Sequence, residues 1–358
     1  MKILISPLNW GLGHATRIVP LIKLLQSKNE VIIAADGDAF YFLQSEFPHL
    51  SIIHQKDFYI KYSKSSFGLP FRMLINFPKL FRFYFYNKKW IKDYISKKEI
   101  DLIISDNKFG FFYKKVHSVF ITHQINIQTP KWLRIFKPLI DILNYWNIHK
   151  FHEVWIPDNK DFVASGILSD TSKLKIEHHY IGLLSRFIKT ENEKKIYEQY
   201  EYIGIVSGPE PQKSIFRNIL IQLFLKLDAK CLVISGNPEK KKDEQIRNVR
   251  IVNHLQTPEF MFYLENSKVI SRAGYSTVMD LLLLKQTAIL VPTPGQTEQK
   301  YLANYLHTNS LFYCVSQDRL SVETILDFEK KIYQLKLNIQ HIEINDKPKQ
   351  FLKQRRLI

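Results

Sequence analysis

Short apolar runs rich in β-branched residues, each followed by a helical stretch, recur along the whole 358-residue chain, and this alternation most restricts the fold. Parallel strands need long crossover connections, and the helical stretches supply them, so the pattern predicts parallel sheets layered with helices. It occurs twice. Strands are expected at Ile3-Leu4-Ile5, Val31-Ile32-Ile33, Leu102-Ile103-Ile104, Val119-Phe120-Ile121 and Val154-Trp155-Ile156, then at Tyr202 to Val206, Leu232-Val233-Ile234, Val249-Arg250-Ile251, Val269-Ile270 and Ala288 to Val291. The length exceeds what one core serves at about 150 residues per domain. The expected division is an N-terminal Rossmann-like domain over 1–184, a C-terminal one over 185–335, and a helical, basic tail over 336–358 with a return to the first domain open to it. The Lys- and Glu-rich run Lys189 to Lys195 reads as a linker or exposed helix.

An apolar fraction of 45% with 24% charged residues excludes a disordered chain. The opening Met1 to Leu8 is too short for a signal-peptide core, and the best candidate span, Val278 to Pro292, is interrupted by Asp280 and Lys285. The expectation is a cytoplasmic chain that does not cross a membrane. Cys231, in an apolar run, and Cys314 are expected as free thiols. Lys and Arg outnumber Asp and Glu by 51 to 34, a net charge of +17 that attracts nucleic acid, an anionic membrane face or phosphorylated ligands. No helix-turn-helix, zinc spacing or RNA-recognition signature accompanies that charge, which leaves nucleic-acid binding as the non-enzymatic alternative.

Three motifs carry chemistry. Asn9 to Arg17 follows the first strand; Gly11 and Gly13 permit close ligand approach, His14 and Thr16 replace the third glycine of a dinucleotide fingerprint, and Pro20 is expected within the first helical turns. The competing reading is a tight turn with a surface histidine. Ser271 to Asp280 leads from a strand into a helix: Gly274 lets amides at the helix start face an anion, and Asp280 is placed to accept from ribose hydroxyls, against a reading of Thr277 as a cap and Asp280 as a solvated residue. Pro292 to Gln299 is a stiff loop presenting Gln296, Glu298 and Gln299. Ahead of these, a helix is expected from Ser214, its cap, to Leu227, after a Gly-Pro loop.

Together the second and third motifs resemble the donor-site signature of glycosyltransferases of the two-domain GT-B architecture, family 28 in particular. Its form is Arg-Ser-Gly-x-x-Thr-x-x-Glu, then a strand, Pro and a loop ending Gln-Gln. Arg272, Gly274 and Thr277 match, Ala273 stands at the serine, Asp280 at the ribose-binding glutamate and Gln299 at a sugar-contacting glutamine. The family's Gly-Gly-x-Gly-Gly-His loop resembles Gly11 to His14, its domain junction resembles Gly182 to Arg186, its second glycine-rich loop falls at Ser207-Gly208-Pro209, and its uracil-contacting strand end at His254-Leu255. The first loop has fewer glycines, the junction lacks Asn-Pro, and Gly295 and Thr297 replace the family's His and Asp. The whole motif Trp-Gly-Leu-Gly-His-Ala-Thr-Arg is closer to a group of sparsely characterised bacterial glycosyltransferases.

The resemblance implies two domains facing each other across a cleft, with inverting transfer from a UDP-sugar, N-acetylglucosamine or a similar hexose, to a lipid-linked or cell-envelope glycan. It implies no cofactor and no metal, and no Asp-x-Asp metal motif is expected in the chain. The base is ranked His14, then Asp106, then His123, the last two at strand ends where ligands of parallel sheets bind. A UDP-sugar hydrolase or epimerase on the same fold is the enzymatic alternative.

From Lys56 to Lys98, eleven Lys or Arg face only Asp57 and Asp93 and interleave with Phe58, Tyr59, Phe67, Phe71, Phe77, Phe81, Phe83, Tyr84, Phe85, Tyr86, Trp90 and Tyr94. Such a stretch suits the interface of an anionic bilayer, and hence a peripheral place on the inner face of the cell membrane. The opposing reading turns its aromatics into the first domain's core.

Overall fold

A computed structural model describes residues 1–57, 68–160, 164–187, 197–236, 243–342 and 347–358, with the side chains of 68–77, 80 and 131 also outside the description. Phe58, Tyr59, Phe67, the side chains of Phe71 and Phe77, and the run Lys189 to Lys195 therefore lie outside the described residues. The chain forms two compact units, one of Met1–Ile60, Pro70–Leu184 and Ile344–Ile358, the other containing Ser185–Glu343.

In chain order the first unit has β1 (Lys2–Pro7), α1 (Leu12–Leu25), β2 (Glu30–Ala35), α2 (Gly37–Glu46), β3 (Ser51–His54), α3 (Gly68–Ile95), β4 (Leu102–Asp106), β5 (His117–Ile121), α4 (Lys137–Ile148), β6 (Glu153–Ile156) and β7 (Glu177–Tyr180). The second has β8 (Tyr202–Ile205), α5 (Gln212–Phe224), β9 (Cys231–Ile234), β10 (Asp243–Ile246), β11 (Val249–Val252), α6 (Thr257–Asn266), β12 (Lys268–Ser271), α7 (Tyr275–Leu283), β13 (Ala288–Leu290), α8 (Thr297–Thr308), β14 (Tyr313–Cys314) and α9 (Val322–Gln340). The last helix, α10 (Lys347–Gln354), belongs to the first unit.

Each unit is built on a seven-stranded sheet, ordered β3-β2-β1-β4-β5-β6-β7 in the first and β10-β11-β9-β8-β12-β13-β14 in the second. Among the described residues every pairing is parallel except β10 with β11. The ten runs read as strands are the interior ones, buried and apolar apart from the half-exposed Arg250 of β11. The four strands that the reading lacked, β3, β7, β10 and β14, are the four sheet edges, all part-exposed; β7 and β10 are mostly polar, and β14 is only two residues long. Both orders reverse beside the unit's first strand, between β1 and β4 and between β8 and β12, and at such a reversal adjacent loops diverge to leave a crevice at the carboxyl ends of the strands.

Two glycines allow close packing. A β-carbon on Gly204, inside β8, would sit 2.8 Å from Leu220 of α5, so its absence lets Leu220 and Phe224 settle on the strand. Gly182 has φ +84, and a β-carbon there would lie 2.7 Å from Lys347 Cβ, so this glycine seats α10. The helix then packs Phe351 against the fully buried Trp155, with ring centroids 5.2 Å apart. Arg355 bonds Glu153 at 2.5 Å and Glu177 at 3.2 Å. Cys231 and Cys314 are free thiols.

Two local expectations are corrected. Helix α5 begins at Gln212 rather than at Ser214, because Pro211 already holds φ −89 and ψ −1 and carries the chain into helical conformation; Ser214 Oγ donates to Glu210 at 2.9 Å instead of capping. Pro20 lies in the middle of α1, not its first turns; the helix runs on through it, with the proline buried and no N–H at that position to bond the preceding turn.

Candidate functional site

Catalytic candidates converge at the chain-order reversal of the first sheet. Gly11, with φ +117, is the N-cap residue of α1 and offers no capping side chain. His14 and Arg17, three residues apart, share a face of that helix and both reach Asp106 at the end of β4. Arg17 Nε lies 3.0 and 2.8 Å from the two carboxylate oxygens, and its Nη2 also bonds Oδ1. His14 Nδ1 is 3.4 Å from Oδ2, and Arg17 Nη1 is 3.1 Å from His123 Nδ1. Arg17, Asp106 and His123 are buried, whereas the His14 ring keeps 18% exposure.

This geometry separates the three candidates. Burial pushes the Asp106 carboxyl up, but Arg17 and His14 outweigh it and hold the group below the usual carboxylate range. An ionised carboxylate gripped by a guanidinium is a poor proton acceptor and a good orienting group. Arg17 has only protons to offer, so His123 Nδ1 must accept and is committed. With His14 Nδ1 donating to Asp106, the lone pair sits on Nε2. Arg17 closes the quoted motif, and its spacing from His14 is the signal by which a sequence reading could have assigned it to the site.

Donor candidates gather at the carboxyl ends of the second sheet. Gly208, φ +94, opens the loop from β8 to α5, and a β-carbon there would meet nothing within 4 Å. Ser207 adjoins it, half-buried. Across the reversal, buried Ala273 and then Gly274 follow β12; Gly274 is the N-cap residue of α7, with no capping side chain and open space where its β-carbon would be. Thr277 and Asp280 follow on α7 at helical spacing. Asp280 Oδ1 accepts from Ser185 Oγ at 2.5 Å. The residue keeps some accessible surface, yet its carboxyl is packed among protein atoms; burial raises its pKa to about 7, with Ser185 and Arg186 drawing it down. Asp280 is thus not the solvated helix residue of the competing reading.

Other donor candidates hold the frame. Arg272 is 1% exposed, stacks on Phe216 at 3.9 Å and donates to Gln212 O at 3.2 Å, Gln317 at 2.7 Å and Val291 O at 3.4 Å. It thereby ties three loops together. No carboxylate pairs with it among the described residues, its Nε has no partner, and burial lowers its pKa to about 9. Arg186 lies between the rings of Phe187 and Phe260, 4.9 and 5.2 Å away. Gln299 Oε1 accepts from the Thr293 amide at 2.8 Å, which fixes the loop; Gly295 has φ +87, Gln296 is the N-cap residue of α8, and Glu298 is in its first turn. His254 and buried Leu255 follow β11. Gly13 lies within the first turn of α1.

The expectation of no Asp-x-Asp motif is corrected: such a triplet occurs at Asp36-Gly37-Asp38. There Asp36 is the N-cap residue of α2, and its Oδ2 accepts the Asp57 amide at 2.9 Å. The grouping with metal-like spacing among the described residues, Glu153, Glu177 and His179, is bridged by Arg355.

Two doubly wound units with loops opening at their reversals define the GT-B fold of glycosyltransferases. Over 99% of this chain the fold matches the spinosyn rhamnosyltransferase SpnG complexed with thymidine diphosphate (100% of that chain, TM-score 0.63, 13% identity) and the glycotransferase of kitacinnamycin (98% of that chain, TM-score 0.63, 10% identity). Residues 216–357 match the glycosyltransferase family 28 C-terminal domain. A curated relative is the UDP-N-acetylglucosamine--N-acetylmuramyl-(pentapeptide) pyrophosphoryl-undecaprenol N-acetylglucosamine transferase of Rickettsia prowazekii (strain Madrid E), 33% identical over a stretch that spans 28% of this chain and 28% of the relative.

Proposed function

We propose that this chain is a glycosyltransferase that moves a sugar from a UDP-sugar, N-acetylglucosamine first among the donors, to a lipid-linked or membrane-associated glycan, with inversion and without a metal. The observation that carries the reading is the β8/β12 reversal, where Gly208 opens the loop to α5 and Gly274 begins α7 without a capping side chain, with Asp280 one to two turns into α7. Helix starts present amide donors and a positive dipole end to a diphosphate. Asp280 is suited to accept from ribose hydroxyls, and Arg272 adds a cation beneath the loops. In the first unit, Nε2 of His14 takes the acceptor hydroxyl's proton as that oxygen attacks the anomeric carbon and UDP departs. Asp106 then stabilises the imidazolium.

The membrane side of the proposal rests on an apolar face of the first unit. Leu139, Ile142, Leu143 and Trp146 repeat along α4 at one-turn spacing and are all exposed, beside exposed Trp132, Ile135 and Phe136. From α3, Phe81 and Phe85 are exposed while Trp90 stacks on buried Phe111, so that helix divides its aromatics between surface and core. Among the described residues no helix is long and apolar enough to cross a membrane, which leaves docking rather than insertion. The test is UDP release from UDP-N-acetylglucosamine by the full chain on anionic vesicles carrying a polyprenyl-diphosphate glycan. Turnover that needs the glycan and disappears in His14→Ala supports the reading; release at the same rate without any glycan overturns transfer in favour of hydrolysis.

A further inference from the structure

Asp106 is not the only buried charge at the end of β4. Two residues on, Lys108 is fully buried; its ammonium bonds Gln55 Oε1 and lies 3.2 Å from Ser6 Oγ and 3.3 Å from Asp57 Oδ2. Asp57 Oδ2 in turn accepts the backbone amide of Asn9, at 2.9 Å. Asn107, with φ +54, forms the left-handed step between the two charges, and Ser105 Oγ closes the turn by donating to Lys108 O at 2.7 Å. One turn thus directs Asp106 to His14, at the end of the glycine loop, and Lys108 to Asp57, which holds the start of that loop at Asn9.

We infer that Lys108 and Asp57 are positioning residues: they clamp the loop from Asn9 to Gly13 and so fix the place from which His14 acts. The inference rests on His14 being the base. A buried ion pair is seldom worth more to stability than apolar side chains of the same size. The directional work here is to keep an acceptor oxygen aimed at the Asn9 amide, with the ammonium offsetting its charge. Burial pulls the Lys108 pKa down while Asp57 and Asp36 raise it again, in keeping with a group that depends on its neighbours.

Two double variants of the full chain isolate that oxygen. Lys108→Met with Asp57→Leu removes both charges and the acceptor; Lys108→Met with Asp57→Asn removes the charges and keeps the acceptor. Amide exchange over residues 9–13 is expected to quicken at least tenfold in the first and to stay near wild type in the second. Under the transfer assay, kcat falls at least tenfold in the first with the donor KM little changed, and the second regains most of the turnover. Circular dichroism confirms that both fold. Equal exchange in the two variants, or wild-type exchange in the leucine variant, overturns the inference. If the wild-type protein turns over no nucleotide sugar, the proposed function fails, while the exchange comparison still reports on the clamp.

Discussion

Replacing Asp280 by Asn removes a carboxyl whose pKa burial has raised from an ordinary 3.8 to about 7. Between those values the folded protein holds a proton that the unfolded chain has released. Wild-type stability therefore falls as pH rises from about 4 to about 7 and levels off above. At ~1.4 kcal/mol per pH unit, the ceiling on this loss is about 4 kcal/mol, reduced by whatever relaxation the folded site allows. Asn resembles the protonated acid, so the two proteins should melt together only below about pH 4 and differ already by roughly 1.6 kcal/mol at pH 5, and the variant should melt several degrees higher at pH 8. Calorimetric scans from pH 3.5 to 9 measure the difference directly. Titration of UDP into both proteins at pH 8 should show the opposite order, with the variant weaker by roughly 10- to 100-fold if a charge-assisted bond worth about 1.5–3 kcal/mol is lost. A melting difference that stays constant across the range would refute a titrating Asp280.

Breaking the Arg17–Asp106 pair from one side, as in Asp106→Asn, should cost about 3–5 kcal/mol in urea unfolding by leaving a buried guanidinium without its charge partner. By contrast, His14→Gln should unfold like the wild type while turnover falls about 10²- to 10⁴-fold. Gly208→Ala should cost about 1–2 kcal/mol for its left-handed backbone, read by urea denaturation, with no steric clash to relieve. Phe351→Ala should raise hydrogen exchange in β6 and β7 and leave β8 and β12 unchanged, since the ring covers Trp155 in the first unit only.

The interior strands were legible because burial makes their runs largely apolar; the edges β7 and β10 were not, because Glu177 to Tyr180 and Asp243 to Ile246 take their conformation from a neighbour's hydrogen bonds. Within the site, glycines at φ +117 and +94 announced the loops at positions 11 and 208. Spacing along the chain gave no hint that Arg17 would bind an aspartate 89 residues on, or that Asp57 would accept the amide of Asn9. Such pairings arise only when one sheet lines up the carboxyl ends of β3, β2, β1 and β4. The exposed stripe of α4 was equally hidden, since apolar residues at helical spacing read the same whether they face a core or solvent.

Because α10 belongs to the first unit, its docking surface waits during synthesis until all of Ser185–Glu343 has been made. At ordinary ribosomal speeds of about 5–20 residues per second that delay is roughly 10–30 s. Throughout it, Trp155 and the carboxylates of Glu153 and Glu177 stand without Phe351 and Arg355. A nascent first unit therefore lacks the cover of α10 until the last residues emerge, and slow elongation over Ser185–Glu343 would lengthen that interval.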